Sequence, residues 1–192
     1  LDLSKIEAGK MDYHFANMDI HSVIEYVKSS LQGLIKDKNL NLIVEETQNL
    51  PEVYADSQRL EQVLTNLVSN AIKFTPEGKS ITIRSNLADS TELKANECFE
   101  DDLQKLSGKY IVICVEDEGI GIAEKDLLRA FDKFAQIENS LSRKVGGSGL
   151  GLPIAKQLLQ AHNGAIWCDS ELNKGSKFYF ALPVSMEPQL VA

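Results

Sequence analysis

The 192-residue sequence has no excess of basic residues and no long apolar run. Asp and Glu outnumber Lys and Arg by 28 to 20, and the resulting net charge of −8 argues against nonspecific binding to nucleic acid or to an anionic membrane surface. No apolar run approaches the roughly 18 residues of a membrane-spanning helix, and no signal peptide is visible. A nucleotide ligand is still allowed, because a metal ion and a few lysines can neutralise its phosphates locally.

Cysteine is also scarce. Cys98, Cys114 and Cys168 lie far apart and form no CxxC pair. An odd number of cysteines without a framework predicts reduced thiols and a cytoplasmic location, and leaves open whether the parent protein is membrane-anchored. Cys114 and Cys168 lie in apolar, strand-like runs, so we expect both to be buried structural residues. The chain starts at Leu1 within a helical pattern, and we interpret it as part of a longer protein.

Hydrophobic residues make up 43% of the chain, and their spacing predicts both helices and strands. Helical spacing covers 21–38, with Asp19 as N-cap, and about 56–74; shorter helices are predicted at 123–131 and after Pro153. Strand-like runs occur at 39–46, 53–55, 80–87, 110–117, 165–171 and 177–184. Because helices and strands do not alternate regularly, we predict an α+β fold with a mixed sheet rather than a doubly wound fold.

The segment 88–108 is polar and acidic, and it separates two predicted strands. We interpret it as a surface insertion within a hairpin. The sequence leaves two roles open for it, a solvated insertion or a loop that docks a partner.

The predicted helix at 56–74 carries a polar face beside its apolar stripe. Its apolar residues fall on one stripe at 3.6 residues per turn, whereas Asn66, Asn70 and Lys73 share another face. An asparagine oxygen can bind a hard cation such as Mg²⁺, and a lysine can neutralise phosphate. Taken alone, the same pattern also describes an ordinary solvated helix face.

Two glycine-rich segments follow. VEDEGIGI (115–122) ends a predicted strand in an acidic residue before Gly-x-Gly, where the backbone can approach a flat ligand and a carboxylate can accept a hydrogen bond from an exocyclic amine. KVGGSGLGLPIAK (144–156) runs into a helix with Pro153 in its first turn, where free N–H groups favour anions. The spacing is not that of a P-loop, and no strand leads directly into it as a dinucleotide fingerprint requires.

In combination these motifs resemble the N, G1, F and G2 boxes of sensor histidine kinases, in the right order. They are Asn66-x-x-x-Asn70-x-x-Lys73-Phe74, Asp117-x-Gly119-x-Gly121, Phe131-x-x-Phe134 and Gly147-Ser148-Gly149-Leu150-Gly151-Leu152. Gly175-Ser176-x-Phe178, ending in Leu182-Pro183, resembles the closing G3 element. LDLSKIEAGK resembles the end of the dimerisation helix that precedes the catalytic domain.

The resemblance implies a Bergerat-type two-layer sandwich, in which about three helices cover one face of a mixed sheet and a mobile lid closes over ATP. Residues 1–11 would be the end of the dimerisation and phosphoacceptor helical domain. Residues 12–186 would be the catalytic ATP-binding domain, with the insertion at 88–108 and the lid at 132–148, and 187–192 would be a tail.

The resemblance also implies roles for the matched residues. Asp117 would bond the adenine amine, with Ser176 assisting through water. Asn70 would ligate Mg²⁺, and Asn66 and Lys73 would line the phosphates. The remaining ATP-binding residues would be Phe74, Gly119, Gly121, Ile122, Phe134, Lys144, Gly147, Ser148, Gly149, Leu150, Gly151 and Leu152. Phe131 and Phe134 would anchor the lid.

The implied function is transfer of the γ-phosphoryl of Mg-ATP to a histidine of the dimerisation domain, for relay to an aspartate of a response-regulator receiver domain. The fragment would be monomeric and its parent a homodimer, and the fragment would contact neither nucleic acid nor membrane. A serine kinase of the same ATP fold and a non-catalytic ATP-sensing module are the alternatives. The segment LDLSKIEAGK argues against the first, and Asn70, Lys73, Asp117 and the lid glycines argue against the second.

Histidine is the first point at which the sequence departs from the family pattern. None of His14, His21 and His162 lies in a SHELRTPL-like box; we expect them in a strand-like segment, a first helical turn and a helix end. We interpret all three as structural residues, and the phosphoacceptor is expected upstream of Leu1.

Two substitutions are further departures. Gln136 replaces a basic residue that some family members use on phosphate, and Arg143 or Lys144 would supply that charge. Glu118 replaces the commoner Asn of the G1 box, which we expect to be harmless. Asn66, in contrast, matches the histidine kinase pattern, but it stands where related ATPases such as DNA gyrase carry a catalytic Glu. Because an amide cannot act as a general base at neutral pH, we expect phosphotransfer in preference to hydrolysis.

Overall fold

The computed structural model describes residues 5, 6, 8, 10–95, 97–135 and 148–184. Its helices are α1 (Ile20–Asp37), α2 (Ser57–Phe74), α3 (Glu100–Leu103) and α4 (Gly151–Ala161). Its strands are β1 (Ala16–Met18), β2 (Asn41–Glu46), β3 (Val53–Ala55), β4 (Ser80–Asp89), β5 (Lys109–Asp117), β6 (Ala165–Glu171) and β7 (Gly175–Pro183). Short 3₁₀ turns are formed by Ser90–Glu92, Glu97–Phe99, Glu124–Asp126 and Leu128–Phe131.

Five strands form one mixed sheet in the order β2-β4-β5-β7-β6. β2 runs parallel to β4, and the other pairs are antiparallel. The parallel pair requires a crossover connection, and β3 and α2 provide it. β3 also pairs with β1 in a separate two-stranded sheet. The α+β class with a mixed sheet is therefore confirmed.

Helix α2 is the central helix of the layer that covers the sheet, since it packs against both α1 and α4. It starts after Asp56, whose side chain accepts a hydrogen bond from the Arg59 N–H at 3.2 Å. Its buried residues are those of the predicted apolar stripe, Leu60, Val63, Leu64, Leu67, Val68, Ala71 and Ile72. Burying each large aliphatic side chain contributes about 1.5–3 kcal/mol, so this stripe determines which face of α2 meets the sheet.

The region predicted as a short helix at 123–131 differs from expectation. It forms two consecutive 3₁₀ turns, Glu124–Asp126 and Leu128–Phe131. Leu127 and Phe131 are buried and lie four positions apart, and apolar residues at this spacing are typical of an α-helix. Short 3₁₀ turns bury the same two side chains without a continuous helix.

The acidic insertion does lie within a hairpin, between β4 and β5, and the Ser90 N–H donates to the Gly108 carbonyl across its base at 2.8 Å. It is not simply solvated, however. Phe99 is only 1% exposed, and Leu103 is also buried in the core. The Phe99 ring meets the Phe131 ring edge-on at 5.6 Å between centroids. The segment is acidic on average, but its few hydrophobic residues, Phe99 and Leu103, attach it to the core.

The buried cysteines agree with the sequence analysis. Cys114 and Cys168 are buried, Cys98 is exposed, and all three are free thiols. Burial raises the pKa of Cys114 to about 11 and that of Cys168 to about 12. Both thiols therefore stay protonated and inert at neutral pH.

The histidines also occupy structural positions. His21 lies in the first turn of α1, and His162 is the C-cap of α4, as predicted. His14 precedes β1, where its N–H donates to the Asp56 side chain at 2.8 Å. His162 is 2% exposed; its Nε2 accepts from the Asp56 N–H at 3.0 Å, and its Nδ1 lies 2.7 Å from the Leu158 carbonyl oxygen. Both nitrogens of the His162 ring are therefore engaged within the domain.

Candidate nucleotide-binding site

The polar face of α2 meets the start of α4. Asn66, Asn70 and Lys73 are half-buried. The Asn66 Nδ2 donates to the Gly151 carbonyl at 3.1 Å, although the two residues are 85 positions apart. The structure thus joins two motifs that the sequence analysis described separately.

The first turn of α4 has no side-chain cap. Its N-cap is Leu150, which cannot accept a hydrogen bond through its side chain. The Ser148 hydroxyl accepts from the Leu150 N–H at 3.3 Å, before the helix begins. Gly151 and Leu152 therefore present first-turn N–H groups of the kind that bind anions.

Asp117 closes the other side of the site at the end of β5. Its side chain is 6% exposed, and it accepts a hydrogen bond from the Gly119 N–H at 2.8 Å. Burial raises the pKa of Asp117 to about 6, and hydrogen bonds from the Gly119 and Ser176 N–H groups only partly offset this. A buried carboxylate with spare acceptor capacity suits an amine donor.

Two glycines let the backbone pack closely around this carboxylate. A Cβ on Gly119 would lie 2.5 Å from the Asp117 Oδ1 and 2.9 Å from the Phe74 carbonyl oxygen. Gly121 has φ +66°, and its Cβ would lie 2.0 Å from the Glu171 carbonyl oxygen. The loop after β5 therefore touches both the end of α2 and the end of β6 in a way that no side chain would permit.

Sequence reasoning missed Ser170. Its hydroxyl accepts from the Ile122 N–H at 2.8 Å and lies 2.9 Å from both the Gly175 carbonyl oxygen and the Ser176 Oγ. Ser170 stands directly opposite Ser176 in the β6–β7 register. No local pattern marks this serine, because its role depends on a strand register that only the folded sheet defines.

Lys73 and Phe74 end α2 beside the loop that carries Asp117. The Lys73 Nζ lies 4.7 Å from the centroid of the Phe74 ring, a cation–π contact. Burial lowers the pKa of Lys73. Since the Lys73 ammonium is partly desolvated, its electrostatic attraction for an anion at this position would be stronger than that of a fully hydrated lysine.

The two phenylalanines of the F motif behave differently. Phe131 is buried against Phe99 and Phe178, as an anchor should be. Phe134 is 70% exposed, so its ring is not the anchor that we expected. Instead its backbone adopts φ +61° and its N–H donates to the Gly149 carbonyl at 3.1 Å. Gln136, Arg143, Lys144 and Gly147 lie outside the described residues.

Glu118 lies between Asp117 and Gly119, but its side chain is engaged elsewhere. Its carboxylate accepts from the Ser80 N–H at 2.8 Å, and its own N–H donates to the Ser80 carbonyl at 3.3 Å. The replacement of the commoner Asn thus links the loop to the start of β4.

Known proteins share this fold and sequence. Residues 55–186 match the family described as histidine kinase-, DNA gyrase B-, and HSP90-like ATPases. The sensor histidine kinase WalK of Bacillus subtilis is 35% identical over 193 residues, covering 98% of this chain and 28% of WalK. The solved structure of full-length ShkA in complex with AMPPNP has a TM-score of 0.76 at 25% identity, covering 97% of this chain and 34% of that chain.

A second solved structure, of the histidine kinase ThkA in complex with the response regulator protein TrrA, has a TM-score of 0.68 at 22% identity. It covers 96% of this chain and 46% of that chain, and at this identity it supports the fold alone. The chain spans less than a third of the length of the curated relatives it matches.

The chain belongs to the family of histidine kinase-, DNA gyrase B-, and HSP90-like ATPases, since the family match covers more than half of it. Within that family, it corresponds to the ATP-binding catalytic domain of sensor histidine kinases. No helix among the described residues is both long and apolar enough to cross a membrane.

Proposed function

We propose that this chain transfers the γ-phosphoryl of Mg-ATP to a histidine on the dimerisation domain of its parent protein. The observation that carries the proposal is the meeting of three separate motifs around one site. Asn66 bonds to Gly151, and the end of α2 contacts the loop that holds Asp117. An ordinary solvated helix face would not make either contact.

Asp117 would recognise the adenine amine. Its carboxylate is buried and keeps acceptor capacity beyond the bonds from Gly119 and Ser176. Ile122, Phe74 and the Gly119–Gly121 backbone would line the base, and Ser176 would assist Asp117 through water. The nucleotide would thus be selected by one charged hydrogen bond in an apolar setting.

Lys73 and the first turn of α4 would hold the phosphates. Lys73 supplies a partly desolvated ammonium, and Gly151 and Leu152 supply N–H groups. Ser148, Gly149 and Leu150 lead into this turn. Phosphoryl transfer depends mainly on positioning and electrostatic stabilisation, which are what these groups can provide.

The residues present fit a magnesium ion at Asn70. Its half-buried side chain makes no hydrogen bond to any residue in the described part of the chain, so its amide oxygen remains available. One asparagine oxygen is a typical protein contribution to Mg²⁺, which takes its other ligands from phosphates and water. When bound, the ion would neutralise charge on the phosphate oxygens.

Asn66 would favour transfer over hydrolysis. Its amide donates to the Gly151 carbonyl and cannot accept a proton from water at neutral pH. We therefore propose that the phosphoryl group passes to a positioned histidine rather than to solvent. Hydrolysis by the purified chain as fast as in gyrase-type ATPases would contradict this.

The domain boundaries follow as part of the proposal. Residues 12–186 would form the catalytic domain, 1–11 the end of the dimerisation helix, and 132–148, with Lys144 and Gly147, the ATP lid. The phosphoryl group would continue to a response-regulator receiver domain in the cytoplasm. The sensor histidine kinase relatives support this partner class.

Labelled ATP tests the proposal. The chain is mixed with a separately produced phosphoacceptor domain and γ-labelled ATP, and label on the acceptor is assayed after acid and base treatment. Acid-labile, base-stable label is expected for phosphohistidine. Base-labile, acid-stable label would indicate a serine kinase, and nucleotide binding without any transfer would indicate an ATP-sensing module.

A further inference from the structure

The last turn of α2 carries Lys73 and Phe74, and it leaves backbone carbonyls without helical partners. The last four carbonyls of any helix lack such partners, and unsatisfied buried carbonyls are costly. Here the Thr75 N–H bonds to Ala71, but the Ile72 and Lys73 carbonyls need a donor from outside the helix.

Lys38 supplies that donor. Its Nζ lies 2.6 Å from the Ile72 carbonyl oxygen and 2.8 Å from the Lys73 carbonyl oxygen. Lys38 is also the C-cap of α1, where its own N–H bonds to Leu34 at 3.2 Å, so the root of the side chain is fixed. A cation at a helix C-terminus also interacts favourably with the helix dipole.

The same region is fastened at a second point. The Gly78 N–H, in the loop after α2, donates to the Asn39 carbonyl at 3.0 Å. On the opposite side, the Phe74 carbonyl lies so close to Gly119 that a Cβ there would come within 2.9 Å. The end of α2 is therefore held between the end of α1 and the loop of Asp117.

We propose that Lys38 is a positioning residue for nucleotide binding, which holds Lys73 at a set distance from Asp117. It touches no ligand itself and acts through the last turn of α2. This inference rests on the proposed function, and it adds a residue that lies outside the motifs described above.

Lys38→Met tests the inference, because methionine keeps much of the length and removes the ammonium. Binding of AMPPNP with Mg²⁺ and of adenosine is measured by calorimetry. We expect AMPPNP affinity to fall by about tenfold and adenosine affinity to change by less than about twofold, because the loss is confined to the phosphate end. Lys38→Arg should restore most of the AMPPNP affinity, since a guanidinium can also donate to carbonyls.

Lys36→Met is the matched control. Lys36 lies two residues earlier, is exposed, and makes no contact with α2 among the described residues. Its replacement by methionine removes the same charge. We expect wild-type binding from it. In a Lys73→Met background, Lys38→Met should weaken AMPPNP binding by less than about twofold, because the residue through which it acts is gone.

Three results would overturn the inference: unchanged AMPPNP affinity in Lys38→Met, equal loss for AMPPNP and adenosine, or the full loss repeated in the Lys73→Met background. Equal loss would mean general loosening of the domain. A circular dichroism melt of Lys38→Gln checks that loss of the ammonium does not simply unfold the domain. If the wild-type chain bound no nucleotide, the proposed function would fail first. Wild-type binding with an unaffected Lys38→Met would reject the inference alone.

Discussion

At the scale of single residues, Asp117 illustrates how a fold changes the chemistry of a side chain. In water an aspartate is ionised well below neutral pH, but burial raises the pKa of Asp117 to about 6. At pH 7 it still bears its charge, at the cost of desolvation. An amine donor placed against it would recover part of that cost, which is why we propose that this residue discriminates between ligands.

Nucleotide affinity should therefore depend on pH through Asp117. We expect affinity for AMPPNP to be constant above about pH 7 and to weaken as the pH falls through about 6, because protonation removes the charged acceptor. Asp117→Asn should reduce affinity by more than about tenfold at pH 7.5, since a buried hydrogen bond to a charged group is lost. Calorimetry between pH 5 and 8 measures both effects.

The variant also serves as the control. Asp117→Asn removes the titrating carboxyl, so the remaining affinity should lose the pH dependence near 6. A wild-type profile that stays flat to pH 5, or an unchanged affinity in the variant, would refute the adenine contact.

Asn70 allows a second prediction at the same scale. Asn70→Asp places a carboxylate near the phosphates, where it repels a metal-free nucleotide but can still bind a cation. We expect AMPPNP affinity to change by several-fold, and the ratio of its affinities with Mg²⁺ and with EDTA to differ from wild type. The same fractional change under both conditions would exclude a metal contact. Ser69→Ala, on the same helix, should leave the ratio unchanged.

At the scale of elements, the insertion between β4 and β5 behaves as part of the domain. Phe99 packs on Phe131. The Asp102 Oδ2 forms an ion pair with the Lys156 Nζ on α4 at 3.5 Å. Both ends of that ion pair are partly exposed, so the ring contact contributes more than the charges do. An acidic segment is thereby attached to the core through its buried apolar side chains, Phe99 and Leu103.

Phe99→Ala should consequently destabilise the whole domain by about 3–5 kcal/mol, the usual cost of removing a buried phenylalanine. Chemical denaturation followed by fluorescence measures the free energy of unfolding. Glu100→Ala is the control, since the exposed neighbouring side chain should change stability by less than about 0.5 kcal/mol. A loss below about 1 kcal/mol in Phe99→Ala would mean that the insertion is only a solvated loop.

At the scale of the whole molecule, His162 links three parts of the chain. Its ring contacts Asp56 at the start of α2 and Leu158 in α4, and it packs against the Phe15 ring at 4.8 Å between centroids. Asp56 also receives the His14 N–H, so the segment before β1 joins the same cluster. Burial lowers the pKa of His162, while the hydrogen bond to Leu158 and the nearby Asp56 charge oppose this.

The contribution of His162 to stability should therefore fall on mild acidification. Because the folded-state pKa of His162 lies below the unfolded value of 6.5, the stabilisation from its neutral form is complete above that pH and is lost as the pH falls. The raised pKa of Asp117 acts in the opposite sense, adding stability as the pH falls below about 6. Thermal melts from pH 7.5 to 5.5 should therefore show that acidification is more destabilising in Asp117→Asn than in wild type.

His162→Gln isolates the histidine. The variant should be less stable at pH 7.5, since it loses ring packing, and its melting temperature should vary less with pH over the same range. An identical pH dependence in His162→Gln and wild type would assign the acid sensitivity to other groups.

Local sequence determined most of the elements and indicated the residues that we propose for the site. The apolar stripe of α2 and its polar face follow from the 3.6-residue period, which depends only on residues close together in the sequence. The same holds for the strand ending in Asp117. The lid residues that fall outside the described part of the chain, and the roles inferred for the nucleotide contacts, remain predictions.

Only tertiary structure decided which distant residues meet. The Asn66–Gly151 bond, the Ser170–Ser176 pair and the Lys38 cap each join positions from different elements, and no periodicity relates them. Composition also obscured the attachment of the insertion, because it reports the average polarity of a segment and not the neighbours of one buried ring, Phe99. The resemblance that implied an anchoring role for Phe134 likewise did not fix the surroundings of its ring, which is exposed. Strand register and helix packing choose those neighbours, and they depend on the whole core at once.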